Sequence, residues 1–309
     1  MEVGKSESGG RHAAAYRQVI LPAYAKINLF LDILSARDDG YHNIDGIMHA
    51  VTLCDYVSVS IGGFDGQQVF VECSDPSLPS GKGNLAYRAA ELFMEQTGLT
   101  GYSVNIGIEK NIPVSAGLAG GSTDAAAVIR ALGYIFDIDK NTLFKVAEKI
   151  GSDVAFCLMG GCARAEGTGN VLTPLSPMGK CFIVIGFKGK GVSTPEAYGK
   201  ADGIYHPGRK KERHAELGRL SELITGSPSD YSGSLFNVFE SVVLPEHDGA
   251  SELKKILSEC GAEAVLMSGS GPSVFGLFGN RDSAETAKRK LSGIGARTFI
   301  ARPERTSLI

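Results

Sequence analysis

The sequence predicts an α+β protein built from two domains. The chain has 309 residues, of which 43% are hydrophobic and 21% charged, and this suits one large or two medium domains with well-packed cores. Segments that alternate apolar and polar residues, as strands do, are interspersed with amphipathic segments of helical period. A break at residues 175–180 (LSPMGK) precedes a new apolar strand (CFIVIGF). We therefore expect an N-terminal domain at residues 20–178 and a C-terminal domain at residues 179–309.

Composition and charge narrow the function classes. The net charge of −3 gives no general attraction to nucleic acid or to an anionic membrane, and no apolar run is long enough to span a bilayer. Residues 1–16 lack the apolar core of a signal peptide, so residues 1–19 are expected to be a flexible extension. The sequence predicts a cytoplasmic monomer or homodimer with no nucleic-acid or membrane partner.

The six cysteines carry no metal-binding pattern. They lie in apolar or strand-like segments without CxxC spacing. Buried free thiols in a reducing compartment are favoured over a metal site or disulfides.

The first strand is predicted at residues 21–32 (LPAYAKINLFLD). Its alternation places one set of side chains on a core face, Ala25, Ile27, Leu29 and Leu31, and a second set on the opposite face, Tyr24, Lys26, Asn28, Phe30 and Asp32. A lysine and an asparagine that point the same way favour a cleft on that second face. A solvated sheet face is the alternative.

A polar turn (ARDDG) and the pair Tyr41-His42 follow, and a long β-rich segment then runs to about residue 61. Residues 85–97 form an amphipathic helix, for which Asn84 is the N-cap and Gly98 the stop signal. The next strand, residues 102–109 (YSVNIGIE), leads into a glycine-rich loop.

The glycine-rich loop (PVSAGLAGGST) precedes a good helix former (AAAVIRAL) and is the strongest functional signal in the chain. Glycines let backbone N–H groups turn toward an anion, and a helix N-terminus adds unpaired donors and partial positive charge. The predicted phosphate-binding residues are Pro113, Val114, Ser115, Ala116, Gly117, Leu118, Ala119, Gly120, Gly121, Ser122 and Thr123. Ser122 and Thr123 are candidate caps, and the Ser122 hydroxyl is a candidate Mg²⁺ ligand. The alternative is a tight turn with an ordinary N-cap; neither GxxxxGK[ST] nor a strand-linked GxGxxG occurs.

Two later features add candidates. Asp153 follows a helix at residues 141–150, in the run GSDVAF, where an N-cap or first-turn role accounts for an aspartate. After residue 180, strands and helices alternate in a ferredoxin-like order, with helices at 215–223, 235–243, 250–260 and 283–291 and strands at 264–267, 273–278 and 297–301. The basic run RKKERH at residues 209–214 is expected to be a solvated loop or helix face. The loop SGSGPS from residue 268 reads as a tight hairpin turn.

Four separated motifs, AKINLFL, the glycine-rich loop, GSDV and SGSGPS, together resemble the GHMP kinases in order and spacing. The resemblance covers residues 21–301 and implies an N-terminal domain like ribosomal protein S5 domain 2 and a ferredoxin-like C-terminal domain. It also implies ATP-dependent phosphoryl transfer to a small alcohol, with ATP and Mg²⁺ as cofactors. In such an enzyme Lys26 would lie at the reacting phosphate, Asp153 would be the catalytic aspartate and Asn84 would lie near the adenine. Gly269 and Gly271 would face the cleft.

The sequence DGYH at residues 39–42 resembles the branch of the GHMP kinases that phosphorylates a cytidine-diphosphate-linked alcohol. By that resemblance Tyr41 and His42 hold the cytosine, and an aromatic ring and an imidazole suit that task. Three further residues, Asn28, Thr194 and Tyr198, would lie on the substrate side, although a plain helix start also explains Ser-Thr-Pro at residues 193–195. The family often has an aromatic residue and a glutamine where this chain has Met48 and His49.

Two other functions stay open at this point. Phosphorylation of another small alcohol, as by homoserine and mevalonate kinases, is one alternative, and Tyr41-His42 argues against it. A non-catalytic nucleotide sensor on the same fold is disfavoured by the presence of both Lys26 and Asp153.

Overall fold

The computed structural model describes residues 17–63, 68–202, 210–306 and 308. Residues 1–16 of the predicted extension and Arg209 of the basic run lie outside this part, while residues 17–19 belong to the first strand. The elements in chain order are β1 (Arg17–Ala36), β2 (His42–Gly63), β3 (Gln68–Cys73), α1 (Leu85–Thr97), β4 (Tyr102–Glu109), α2 (Gly120–Phe136), α3 (Lys140–Ile150), α4 (Ser152–Met159), β5 (Cys162–Gly167), β6 (Val171–Leu175), β7 (Phe182–Phe187), α5 (Thr194–Asp202), α6 (Lys210–Leu223), α7 (Pro228–Tyr231), β8 (Phe236–Asn237), α8 (Glu240–Val243), α9 (Asp248–Glu259), β9 (Ala264–Met267), β10 (Val274–Phe278), α10 (Arg281–Gly293) and β11 (Arg297–Ala301).

The first sheet is organised around the long strands β1 and β2. These two strands pair antiparallel over nearly their whole length. The other edge of β2 is shared, because its first half pairs with β5 and its second half pairs with β4. Strand β3 adds to β4, β6 adds to β5, and the short β8 pairs in parallel with β1. Helices α1, α2, α3 and α4 cover one face and bury a core rich in alanine and valine.

The second sheet has the strand order β11-β7-β10-β9 and is antiparallel throughout. Helix α9 lies between β7 and β9 in the chain, and α10 lies between β10 and β11. This βαββαβ order is the ferredoxin-like arrangement that the sequence predicts. Helices α9 and α10 pack on one face of the sheet, and the other face packs against β1.

Strand β1 is buried on both faces, which the alternating pattern did not predict. Ala23 packs with the helices of the first sheet, while Ala25, Ile27 and Leu29 pack toward the second sheet. Irregular pairing with β2 interrupts the register between Tyr24 and Lys26 and between Asn28 and Phe30. The expectation that Phe30 lies opposite Leu29 is therefore wrong, since both join the same core.

Two predicted elements of the C-terminal half need correction. The helix expected at residues 235–243 is instead the two-residue strand β8 followed by the one-turn helix α8. The basic run is not wholly solvated either, because Arg213 on α6 reaches the buried Asp32 on β1, with Nη1 2.5 Å from Oδ1. The Arg213 guanidinium also lies over the Phe236 ring, 4.3 Å from its centroid. Together these contacts fix α6 on the first sheet.

The described ranges contain no helix that is both long and apolar enough to cross a membrane. All six cysteines fall in these ranges and are free, with Cys157, Cys162 and Cys181 buried. The division at residues 178 and 179 stays a prediction.

Candidate active site

The glycine-rich loop runs from the end of β4 into α2 and has an unusual backbone. Ser115, Gly117 and Ala119 have positive φ angles of 52°, 75° and 58°, so two non-glycine residues adopt the left-handed conformation. Within the described part of the chain, the backbone N–H groups of residues 117–119 donate no hydrogen bond. Alternating left-handed residues form a concave set of donors, and the N-terminus of α2 adds its own. The loop therefore suits a polyphosphate.

A second glycine loop, residues 268–273 between β9 and β10, supports the first from the other sheet. A side chain at Gly117 would place its Cβ only 2.1 Å from the Ser268 carbonyl oxygen. The Ser268 hydroxyl donates to the Gly117 carbonyl at 2.9 Å. Asn237 of β8 holds the second loop in turn, since its Nδ2 donates to the carbonyls of Met267 and Gly269 at 2.7 and 2.8 Å.

The loop hydroxyls do not cap α2, contrary to the sequence-based expectation. Ala119 is the N-cap and makes no side-chain cap hydrogen bond. Thr123 is buried inside the first turns of the helix and donates to the Tyr24 carbonyl at 2.8 Å. Ser122 instead faces the cleft described below. The Asn84 cap on α1 is as predicted, because its side chain accepts from the Ala86 N–H at 2.9 Å.

Lys26 and Asp153 converge beside the loop. Lys26 lies on β1 with its side chain 6% exposed, and Asp153 lies in the first turn of α4 with its side chain 40% exposed. The Lys26 Nζ donates to Asn28 Oδ1 at 2.6 Å and is 3.9 Å from Asp153 Oδ2. A Cβ on Gly269 would lie 3.2 Å from that Nζ, so the second glycine loop closely approaches the ammonium. A cation and a carboxylate thus share the space next to the phosphate loop.

A cleft of about 800 Å³ connects these groups to the predicted substrate residues. The predicted residues that line it are Lys26, Asn28, Tyr41, His42, Ser115, Ala116, Gly117, Ala119, Gly121, Ser122, Asp153, Thr194, Tyr198 and Gly269. The predicted residues outside its lining are Asn84, Pro113, Val114, Leu118, Gly120, Thr123 and Gly271. Leu118 is instead buried under the loop, and its carbonyl accepts from the Lys26 N–H at 3.2 Å.

Aromatic rings also line the cleft. The His42 and Tyr198 rings stack with centroids 4.6 Å apart, and the Tyr198 and Phe239 rings pack in a T shape with centroids 4.8 Å apart. Tyr41 is 62% exposed at the rim. Burial, with a further contribution from Asp153, raises the pKa of Tyr198 to about 12, so this phenol stays neutral near pH 7. A cleft that is lined by aromatic rings and by a phosphate loop suits a ligand with a base and phosphates.

Comparison with known proteins identifies the family. The family model "GHMP kinases N terminal domain" matches residues 84–161, and the model "GHMP kinases C terminal" matches residues 209–296. A 4-diphosphocytidyl-2-C-methyl-D-erythritol kinase of Clostridium tetani (strain Massachusetts / E88) is 38% identical over 287 residues, covering 91% of this chain and 99% of that protein. The chain belongs to the 4-diphosphocytidyl-2-C-methyl-D-erythritol kinase family.

Other relatives agree with this assignment to the 4-diphosphocytidyl-2-C-methyl-D-erythritol kinase family. A member from Caldicellulosiruptor saccharolyticus (strain ATCC 43494 / DSM 8903 / Tp8T 6331) is 39% identical over 278 residues, covering 88% of this chain and 92% of that protein. A crystal structure of a 4-(cytidine 5'-diphospho)-2C-methyl-D-erythritol kinase has 30% identity and a TM-score of 0.73, covering 92% of this chain and 98% of its own. A homoserine kinase from Cytophaga hutchinsonii superposes with a TM-score of 0.76 at 16% identity, covering 97% of this chain and 98% of its own, which shows the fold alone. The predicted GHMP kinase fold, the predicted family and the prediction of an ATP-dependent small-molecule kinase are confirmed.

The neighbouring residues Met48 and His49 lie in two different environments. Met48 lines the cleft, whereas His49 is fully buried and is not part of its lining. The His49 Nε2 accepts from the Met178 N–H at 2.9 Å, and Nδ1 lies 2.7 Å from the Ala50 carbonyl. Only Met48 therefore has access to a ligand in the cleft.

Sequence reasoning missed a buried ionic cluster under the phosphate loop. The Lys110 Nζ lies 2.5 Å from Asp55 Oδ2 and 2.7 Å from Asp124 Oδ2, and Asp55 Oδ1 also accepts from two backbone N–H groups. Burial lowers the pKa of Lys110, but Asp124 and Asp55 outweigh this effect, so the pKa is raised overall. Burial raises the pKa of Asp124 even though Lys110 opposes the change. The cluster ties the entrance of the loop to α2, and its members are too far apart in sequence to form a motif.

Proposed function

We propose that the chain transfers the γ-phosphoryl group of ATP to the 2-hydroxyl of 4-diphosphocytidyl-2-C-methyl-D-erythritol, in the non-mevalonate route to isoprenoid precursors. The observation that carries the proposal is the convergence of Lys26 and Asp153, 3.9 Å apart, next to a loop with free backbone donors. The names of the relatives support the choice of substrate. The stacked rings of His42 and Tyr198 in the cleft support a base beside them.

The residues of the cleft fit ATP and a Mg²⁺ ion. The loop lacks bulky side chains where it faces the cleft, and the amides of residues 117–119 have no other partner in the described ranges. In these ranges no group of three or more His, Cys, Asp or Glu side chains is placed to hold a metal ion by itself. Phosphate oxygens and one or two protein oxygens would therefore hold the Mg²⁺. Ser122 and Asp153 are the protein oxygens that we propose for it. ATP supplies the transferred group, and Mg²⁺ neutralises charge on the phosphates.

The proposed roles follow from position. Residues 115–122 hold the phosphates, and Lys26, with its ammonium oriented by Asn28, stabilises negative charge that develops on the transferred group. Asp153 orients the acceptor hydroxyl and accepts its proton. The transition state of phosphoryl transfer is loose, so positioning and charge neutralisation provide most of the catalysis and a weak base suffices. Tyr41, His42 and Tyr198 hold the cytosine.

The test measures turnover of three acceptors, 4-diphosphocytidyl-2-C-methyl-D-erythritol, homoserine and mevalonate, with ATP and Mg²⁺. We expect phosphorylation of the first alone. Asp153→Asn should lower kcat by about 100-fold or more, and Lys26→Met by a similar factor. Asp282→Asn is a matched control, because Asp282 also lies in the first turn of a helix but not in the cleft lining. Turnover of homoserine or mevalonate instead, or unchanged kcat in Asp153→Asn, would refute the assignment.

A further inference from the structure

The His42 side chain is held by a hydrogen bond to a residue that no sequence motif indicates. Its Nε2 lies 2.7 Å from Oδ1 of Asp202, the last residue of α5. Asp202 and Tyr198 are four residues apart on that helix and therefore lie on the same helical face. The imidazole is thus held along its edge by a carboxylate and across its face by the Tyr198 ring, 4.6 Å away.

The carboxylate fixes the tautomer of the imidazole. An ionised carboxylate only accepts hydrogen bonds, so the Nε2 that faces Asp202 must carry the proton. In a neutral imidazole the second nitrogen, Nδ1, is then an acceptor. Nδ1 makes no hydrogen bond to any part of the chain that the structure describes, and His42 lines the cleft. The ring therefore retains one acceptor for a ligand.

An acceptor at this point distinguishes two pyrimidine bases. Cytosine carries an amino group, a donor, at the ring position where uracil carries a carbonyl oxygen, an acceptor. Nδ1 can accept from the cytosine amino group, whereas against uracil two acceptors would face each other. A buried polar contact that is left unpaired discriminates more strongly than a lost apolar contact.

We propose that Asp202 is a positioning residue for base selection: it holds His42 as the Nε2–H tautomer, so that the cleft prefers cytidine over uridine diphosphates. This inference rests on the proposed function, because it requires the base to bind at His42. Asp202 itself need not touch the substrate. Its effect passes through the imidazole.

Binding of CDP and UDP tests the inference without turnover. Both ligands are titrated calorimetrically into the full chain in the presence of saturating Mg²⁺ and a non-hydrolysable ATP analogue, which blocks the phosphate-loop site. We expect wild type to bind CDP at least about 10-fold more tightly than UDP, which corresponds to the net strength of one hydrogen bond. Asp202→Ala should weaken CDP binding by about 10-fold with UDP binding nearly unchanged, so that the ratio approaches one. Glu196→Ala is the control, since Glu196 is an exposed carboxylate on the same helix.

A double-mutant cycle separates positioning from a general structural role. If Asp202 acts through His42, then Asp202→Ala should not change the CDP-to-UDP ratio further in a His42→Ala background. Long-range ¹H–¹⁵N NMR should show His42 protonated at Nε2 and not at Nδ1 in wild type, and a mixture of tautomers in Asp202→Ala. The inference is overturned if the ratio is equal in wild type and Asp202→Ala, or if both ligands weaken equally. Selective CDP binding without turnover would refute the proposed reaction alone, whereas turnover with an unchanged ratio would refute only this inference.

Discussion

The buried imidazole of His49 makes the stability of the protein depend on pH in a predictable direction. Because the Met178 N–H only donates, Nε2 of His49 must accept, and Nδ1 carries the proton and donates to the Ala50 carbonyl. A second proton would set two N–H groups against each other in a fully buried site. Burial accordingly lowers the pKa of His49 to about 4 from a usual 6.5.

The magnitude follows from proton linkage. The pKa of His49 is about 4 in the folded protein and 6.5 in the unfolded chain. Between these two pH values only the unfolded chain binds the proton, so the free energy of unfolding decreases as the pH falls below 6.5. The shift from 6.5 to about 4 corresponds to ~3 kcal/mol when the pH is below both pKa values. At about pH 5 the same relation gives a loss of ~2 kcal/mol relative to about pH 7.5.

The assay is urea unfolding of wild type and His49→Gln at those two pH values. Glutamine can accept from Met178 and donate to Ala50 but does not titrate. Other titrating groups, such as Asp124, are common to both proteins and cancel in the comparison. We expect wild type to lose ~2 kcal/mol more than His49→Gln on acidification, whatever the absolute stability of the variant. Equal losses in the two proteins would refute the argument.

Three further changes test the architecture of the site. Gly117→Ala places a Cβ 2.1 Å from a carbonyl of the second glycine loop at a positive φ, so KM for ATP should rise by about 10-fold or more in steady-state assays. Gly293→Ala is the control and should have no effect, because its Cβ meets no atom within 4 Å and Gly293 does not line the cleft. Lys110→Met leaves two buried carboxylates without their cation, and urea unfolding should show a loss of ~3–5 kcal/mol. Arg213→Met leaves the Asp32 carboxylate without its cation and should lower the free energy of unfolding by about 2 kcal/mol, and the double variant with Asp32→Asn should regain stability. Unchanged stability in Lys110→Met or in Arg213→Met would refute the argument for that ion pair.

The sequence predicts best those elements that depend only on local signals. Strands β9 and β11 lie at the predicted residues, and α1 begins at the Asn84 cap and ends at Gly98 in the left-handed conformation. The sequence did not predict β8, because its two residues adopt strand structure only by pairing with β1, which lies some two hundred residues earlier in the chain. No local pattern marks such a strand.

The face assignment of β1 failed for a related reason. Alternation indicates which side chains share a face, but it does not indicate that a second sheet covers the other face. Because the pairing with β2 is irregular at this point, Phe30 packs in the same hydrophobic core as its neighbour Leu29. Lys26 and Asn28 nevertheless both line the cleft, although the strand that carries them is irregular.

Within the candidate site, the residues that sequence reasoning found are those that belong to contiguous motifs. Asp202 and Asn237 act on motif residues from other elements, and only the folded chain shows those contacts. The Lys110 cluster is similar, because its three members come from β2, from the entrance of the loop and from α2. Residues that position a site are therefore harder to predict from one sequence than residues that contact a ligand.

The phosphate loop needs both halves of the molecule to hold its shape. On the side of the first sheet, the ion pair between Lys110 and Asp124 joins the start of the loop to α2. On the side of the second sheet, the Ser268 hydroxyl and carbonyl pack against Gly117. Left-handed backbone at Ser115 and Ala119 is unfavourable for an isolated turn and persists only where surrounding contacts enforce it. The free amides of the loop are thus a product of the packing between the two sheets. A change that loosens this packing, such as a side chain at Gly117, should weaken nucleotide binding before it unfolds either sheet.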